Sequence, residues 1–347
     1  LKLLNSRGEL ISVKDNDEIS KIKKNNLFKY SPHDKLGSIF KVNDSINNHI
    51  TDILNLPIIN VSAIKHCNFS GVVDGINSSG GIAVPMLLEK LNVDVKKINC
   101  TPNGIFTHNP EPLKENLTEL CDIVKKNKSN FGIAVDPDVD RLVFVDERGE
   151  MFGEEYTLVA CSDYVLSKSP GSIVSNLSSS RALPDLAKQY GVNHFTSAVG
   201  EFHVVEKMKA VKAVIGGEGN GGVIYPKLHY GRDALVGIAL FLSLLAEKKL
   251  SISALKNKYT NYVMRKTKIN LNNDIKVDLI LKKIAKKFEN FNISESDGVK
   301  VDFEDSWIHL RKSNTEPIIR LYAEGKEMDH VDEIIKEFKE LIKSYSS

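Results

Sequence analysis

Short apolar runs of four or five residues alternate along this chain with longer stretches in which apolar residues recur every three or four positions. That alternation of strand-length and helix-length patterns predicts βα units built on a largely parallel sheet. The run Ser70 to Val73 leads through Asp74-Gly75-Ile76-Asn77-Ser78-Ser79-Gly80-Gly81 into a helical stretch ending near Leu91. The same layout returns from Gly171: a strand at Ile173-Val174, a Ser/Asn-rich turn over Ser175 to Ser180, and a helix to Tyr190. Two related α/β units of about 110 residues each are expected.

The ends of the chain read differently. Leu1 to Leu4 and Leu10 to Val13 flank Asn5-Ser6-Arg7-Gly8, which suits a strand pair around a tight turn, and Asp15 to Lys24 has helical character. This segment is too small to bury a core of its own. A polar stretch from Lys266 to Lys276, with Asn270, Asn272 and Asn273, sets off a last unit. That unit reads as a helix (Val277 to Phe288), strands at Gly298 to Phe303, Ser306 to Arg311 and Ile318 to Ala323, and a helix from Val331 to Ser344. The expected fold class is therefore α/β: two related mixed α/β sheet domains (41–150 and 151–265), then a smaller C-terminal α+β domain (266–347), with 1–40 a remnant of something larger.

Composition changes this picture little. Hydrophobic residues make up 41% and charged residues 27% of the 347, and 47 Lys+Arg offset 45 Asp+Glu. Such a balance points to neither a nucleic-acid nor a membrane partner, and the basic cluster Lys282 to Lys287 has the spacing of a solvated helix face. Cys67, Cys100, Cys121 and Cys161 stand far apart with no C-x-x-C pair, which suggests reduced thiols in the cytoplasm. No apolar stretch approaches the roughly 18 residues of a membrane span.

Three loops carry candidate chemistry. Asp136-Pro137-Asp138-Val139-Asp140-Arg141 lies between two strand-like runs. Three carboxylates at alternate positions in a turn repel one another unless they converge on a cation, and Mg²⁺, which completes its shell with water or phosphate oxygen, suits them. Arg141 is placed to hold a carboxylate or a phosphate beside it. An EF-hand is excluded, because Arg141 stands where that loop requires Gly and the flanks are strands. A phosphatase with an aspartyl nucleophile and a solvated acidic turn both remain open here. In the second loop, Gly216-Gly217-Glu218-Gly219-Asn220-Gly221-Gly222, the glycines allow close backbone approach and leave Glu218 and Asn220 as the functional side chains, suited to paired sugar hydroxyls. A ligand-free glycine hairpin fits that loop equally well. The third, Arg311-Lys312-Ser313-Asn314-Thr315-Glu316-Pro317 with Arg320 beyond it, concentrates the donors a phosphate dianion needs, or is an exposed polar hairpin.

In this order and spacing the three loops resemble those of the α-D-phosphohexomutase superfamily: its D-P-D-x-D-R metal motif, its sugar loop at Gly217 to Gly221, and its phosphate loop at Arg311 to Pro317. Val73 to Asn77 and Gly231-Arg232-Asp233-Ala234 resemble further segments of it. The resemblance implies four domains and a phosphoserine, in a T-x-S-H-N-P loop of the first, that gives phosphate to the substrate and takes it back from a hexose 1,6-bisphosphate. By it Leu1 to Asn5 falls just after that loop, so the nucleophilic serine is expected to lie outside the chain, which alone would be inactive. Phe106-Thr107-His108-Asn109-Pro110 is similar to a structural segment of the second domain and is no substitute. The implied roles are Mg²⁺ on Asp136, Asp138 and Asp140, with Arg141 catalytic. The sugar falls to Glu218 and Asn220, and the non-reacting phosphate to Arg311, Ser313, Asn314, Thr315 and Arg320. Many relatives carry His where this sequence has Gly222, so no general base is assigned. The loop variant is most similar to phosphoglucosamine mutases and phosphomannomutases of some bacteria and archaea. A monomeric or homodimeric cytoplasmic enzyme is expected, its last domain swinging on 266–276 as phosphate binds.

Overall fold

The computed structural model describes residues 2–270, 277–313 and 318–346. Its first sheet contains β1 (Ser70–Asp74), β2 (Asp94–Ile98), β3 (Phe131–Val135) and β4 (Leu142–Val145), in the order β2-β1-β3-β4. β1 runs parallel to both neighbours, and only β4 is antiparallel. The second sheet repeats this with β5 (Ile173–Asn176), β6 (His194–Ser197), β7 (Ile215–Glu218) and β8 (Gly222–Ile224) in the order β6-β5-β7-β8, again with only the last strand antiparallel. The two related units expected from the pattern are thus the same four-stranded design used twice. β3 and β4 are buried along their whole length, which explains why they read as unbroken apolar runs rather than alternating ones.

The two units share one core. Helix Ala234–Lys248 is buried on all sides through thirteen of its residues, and helix Glu154–Lys168 lies against it. Phe241 stacks on Phe144 of β4 at 3.8 Å between ring centroids and meets Phe152 edge-on at 5.2 Å. The C-terminal domain has a separate core around Phe288 and Phe338, stacked at 4.8 Å. Its sheet runs β10-β11-β12-β13-β9, all antiparallel, with β9 (Val263–Asn270), β10 (Asn292–Ser294), β11 (Val299–Asp302), β12 (Trp307–Lys312) and β13 (Ile318–Gly325).

Two local expectations need correction. The polar stretch from Lys266 is strand as far as Asn270, because β9 pairs with β13 over eight residues; 271–276 lie outside the described residues. At the start of the chain the expected strand pair is a single bridge, Leu4 to Leu10, followed by helix Val13–Lys24.

Candidate active site

The metal loop and the sugar loop occupy the same place in the repeated design: each is the hairpin joining the third strand of its sheet to the antiparallel fourth, β3 to β4 and β7 to β8. They sit back to back. Leu142 N donates to Gly221 O at 3.1 Å, and Gly221, at φ 88°, has no room for a Cβ, which would lie 2.4 Å from Leu142 O. The chemistry of both units therefore meets at one point.

In the metal loop, Asp136 Oδ1 accepts from the backbone N–H groups of Asp140 and Arg141, both at 3.0 Å, and closes the turn. Val139 is left at φ 59°, a conformation that costs a β-branched residue about 1–3 kcal/mol and persists only where the surroundings enforce it. The enforcement comes from Ser78 and Ser79, whose hydroxyls donate to Pro137 O at 2.7 and 2.9 Å, and from Ala234 N, which donates to Val139 O at 3.0 Å. One carboxylate oxygen from each of Asp136, Asp138 and Asp140 falls within 4.8 Å of the others. Burial and the neighbouring Asp140 push Asp136 up to about 7. Burial acts in the same sense on Asp138, but Lys2, with Nζ 2.6 Å from its Oδ2, outweighs it and holds that carboxyl below its ordinary value. Lys2 Nζ also contacts Asp140. Asp140 Oδ1 is buried without a hydrogen-bond partner among the described residues. An orphaned buried oxygen within a knot of three carboxylates is an arrangement that a hard divalent cation would satisfy, so the residues fit the magnesium expected of them.

Glu218 is 4% exposed. Its Oε1 accepts from Asn176 Nδ2 at 2.8 Å and from Gly200 N at 2.9 Å, and its Oε2 from Arg232 at 2.8 Å. A carboxylate offers about four lone-pair sites, so this one keeps capacity for a ligand while its direction is fixed. Asn220 Oδ1 accepts from Gly222 N at 3.2 Å.

Arg232 is the residue the loop reading missed. Its guanidinium reaches Asp140 Oδ2 at 2.7 Å, Glu218 Oε2 at 2.8 Å and Glu201 Oε2 at 3.2 Å, tying the metal loop to the sugar loop. Burial opposes its charge, but those three carboxylates together raise it above the ordinary arginine value. The only sequence signal was its place in the segment Gly231 to Ala234. Arg232 also explains Gly222: a Cβ there would fall 2.4 Å from Arg232 Cδ, so a histidine at that position would displace the guanidinium.

Arg311 and Arg320 stand directly opposite each other on β12 and β13, which brings two like charges to the same face of the sheet. Arg311 Nε is buried without a hydrogen-bond partner among the described residues, 3.7 Å from Asp297 Oδ2. Ser313 is buried at the end of β12, its N–H donating to Ile318 O at 3.1 Å. Asn314 and Thr315 lie outside the described residues. A cavity of about 480 Å³ joins the three loops, lined by Arg141, Glu218, Asn220, Arg232, Lys266, Arg311 and Arg320 among others. Lys266 ties β9 to the second unit through Glu154 Oε1 at 3.1 Å and Glu155 Oε1 at 3.0 Å. Arg141 Nε lies 3.6 Å from Asp136 Oδ2, on the wall between cavity and metal loop. His108, by contrast, lies 3.1 Å from the buried Asp74 at the end of β1 and braces that strand end.

Three sequence models of the phosphoglucomutase/phosphomannomutase family match in succession: its α/β/α domain II over residues 47–149, its α/β/α domain III over 153–262 and its C-terminal domain over 265–341. This chain belongs to the α-D-phosphohexomutase superfamily. Among its relatives, the phosphoglucomutase/phosphomannomutase of Thermococcus kodakarensis is 36% identical over 282 residues, 80% of this chain and 61% of that protein. The phosphoglucosamine/phosphogalactosamine mutase of Sulfurisphaera tokodaii is 31% identical over 290 residues, 82% of this chain and 64% of that one. The chain thus spans a little under two thirds of both. Of solved structures, a phosphoglucomutase/phosphomannomutase family protein from Burkholderia thailandensis superposes with a TM-score of 0.83 at 25% identity, covering 98% of this chain and 72% of that one. Among the described residues no helix of this phosphohexomutase chain is long and apolar enough to cross a membrane.

Proposed function

We propose that this chain supplies the metal, sugar and phosphate sites of an enzyme interconverting hexose 1-phosphate and hexose 6-phosphate, with glucosamine phosphate the preferred substrate. The observation that carries the reading is the placement of the opposed pair Arg311 and Arg320 in the same cavity as Glu218, Asn220 and Arg141, next to the aspartate knot. An anion-binding pair at one wall and a cation-binding loop at the other suit a substrate whose two ends both carry phosphate.

Arg311 and Arg320, with Ser313, Asn314 and Thr315, grip the phosphate that is not reacting. Glu218 and Asn220 receive the sugar hydroxyls, oriented by Asn176, Gly200 and Arg232. Arg141 steadies the phosphoryl oxygens in transit. Asp136, Asp138 and Asp140 would hold Mg²⁺, which when bound offsets the charge of the transferring phosphoryl group. Phosphoryl transfer asks the protein mainly for positioning and charge neutralisation, which these residues are arranged to give. By resemblance to the family, the phosphate donor is a serine in a T-x-S-H-N-P loop, a pattern that does not occur within residues 1–347. The chain alone is therefore expected to bind phosphosugar without turnover.

The sugars of this class differ at C2 by a hydroxyl or an amine, and the names of relatives cover both, so phosphomannomutase/phosphoglucomutase activity is the second reading. The test supplies glucosamine, mannose and glucose 1-phosphates separately to the protein carrying its serine loop, with Mg²⁺ and a trace of hexose 1,6-bisphosphate. Formation of 6-phosphate is expected, fastest from glucosamine 1-phosphate. A faster rate with mannose or glucose would reverse the substrate choice. No conversion of any sugar by a phosphorylated enzyme would leave a phosphosugar-binding role instead.

A further inference from the structure

Next in sequence to Arg232, Asp233 caps helix Ala234–Lys248 where helix Ser45–Leu54 of the first unit packs against it, and three potential metal ligands converge there. His49 Nε2 lies 2.7 Å from Asp233 Oδ2, and His229 Nε2 lies 3.0 Å from the same oxygen. One nitrogen of each imidazole and one carboxylate oxygen fall within 4.8 Å of one another. The other oxygen of Asp233 is already committed: Oδ1 accepts from Leu235 N at 2.8 Å and Val236 N at 3.2 Å, capping the helix. This fixes the carboxylate with Oδ2 turned outward, the service that outer hydrogen bonds perform for metal-ligating groups. Asp233 is buried, whereas the His49 and His229 side chains are 34% and 38% exposed, which provides a path for entry.

We propose that His49, His229 and Asp233 form a second metal site, selective for a zinc-like divalent transition ion over magnesium. Two imidazole nitrogens and one carboxylate oxygen are a donor set that suits Zn²⁺ and its neighbours, and three protein ligands leave a fourth position for water. Magnesium, by contrast, requires a shell of oxygens. Tetrahedral Zn²⁺ at its usual bond lengths of roughly 2.0–2.1 Å sets ligand atoms about 3.3 Å apart. The two nitrogen–oxygen separations, 2.7 and 3.0 Å, reach that with movements of a few tenths of an ångström, and the two imidazole nitrogens start within 4.8 Å of each other. Binding exchanges the Nε2–H···Oδ2 contacts for coordination, each neutral ring carrying its proton on Nδ1 instead. The ion would then clamp the helix of the first unit to the loop and helix of the second, immediately beside the arginine that spans the metal and sugar loops. The site stands independently of the mutase reading.

The test titrates Zn²⁺, and Co²⁺ as a visible probe, into the full chain in saturating Mg²⁺, which keeps the aspartate knot occupied. One equivalent of Zn²⁺ is expected, with a Co²⁺ spectrum of four-coordinate nitrogen/oxygen type. The equivalent should persist in Asp138→Asn and weaken at least a hundredfold in His49→Gln/His229→Gln. Should that double variant not fold, histidine ¹⁵N spectra of the unaltered chain give the answer: two imidazoles should change to the metal-bound Nε2 form as Zn²⁺ is added. Zn²⁺ binding undiminished in the folded double variant, or titration without change at two imidazoles, would overturn the proposal.

Discussion

Replacing Arg232 by Met would expose the logic of the cleft most directly. Met preserves the length and apolar stem of the side chain but withdraws the one guanidinium that reaches Asp140, Glu218 and Glu201 together, at 2.7, 2.8 and 3.2 Å, and leaves Lys2 beside Asp140. Asp140 and Glu218 are 5% and 4% exposed, so water cannot replace the guanidinium. Removing one partner from a buried ion cluster costs about 3–5 kcal/mol, because the remaining charges stay buried and uncompensated. For domains of this size that corresponds to a fall of roughly 10 °C in the unfolding midpoint. Magnesium should offset part of the loss. An ion that binds only the folded state contributes about 2.7 kcal/mol at a hundred times its Kd, and with Arg232 gone Asp140 presents it more negative charge. Calorimetry of both proteins, in chelator and in Mg²⁺, therefore has two readouts: a large fall without metal, and a larger Mg²⁺-induced rise in the variant than in the parent chain. Adding Glu218→Gln to the variant should recover stability by removing one unpaired carboxylate. An Arg232→Met chain melting within about 2 °C of its parent in chelator, or equal Mg²⁺ increments in the two, would refute the view that this arginine neutralises the cluster.

Asp138→Asn should abolish the Mg²⁺-dependent rise in melting temperature while changing the metal-free midpoint little, since Asp138 is the exposed member of the knot; the same pair of calorimetric scans checks it. Burial, reinforced by Lys300, pushes His309 down to about 4 from 6.5, and its ring bridges the second unit and the C-terminal domain through Ser178 Oγ at 2.8 Å and Asp297 O at 2.6 Å. A folded-state pKa below the unfolded one gives stability that is complete above pH 6.5 and lost as pH falls toward 4, about 3 kcal/mol for this group. About 2 kcal/mol of that is lost between pH 7.5 and 5. The change in urea-unfolding free energy over that interval should therefore differ by about this amount between the parent chain and His309→Gln. The shares of His194, which burial likewise lowers to about 4, and of Asp136 and Glu155, which burial raises, are common to both. Gly217→Ala places a Cβ 2.0 Å from the backbone oxygen of Gly222 and should cost about 2 kcal/mol in denaturant melts, because β7 is held between β5 and β8 and the clash is with backbone.

Why the sequence disclosed some of this and concealed the rest is itself physical. The βα units were legible because strands buried on both faces must be apolar throughout, as β3 is, and the helices between them must show the other period. β9 was not, since along an edge strand with Lys266, Lys268 and Asn270 the residues look like a linker; only the pairing with β13 makes it sheet. The aspartate knot was legible because three carboxylates in one turn have few explanations that avoid a cation. Arg232 gave no comparable hint, because nothing local marks an arginine as buried, and its partners lie 14, 31 and 92 residues away in the chain. The same holds for His49 and Asp233, separated by 184 residues and brought within 2.7 Å by the shared core. A motif read from sequence reports the groups that one turn can gather. The charges that balance them come from whatever the fold carries alongside. Here the duplicated sheet supplies that neighbour: because both functional hairpins leave the third strand of equivalent units and meet back to back, a single arginine can neutralise a carboxylate of each. The aspartate loop and the glycine-rich loop are therefore electrostatically one object, and a change in either should be felt in the other.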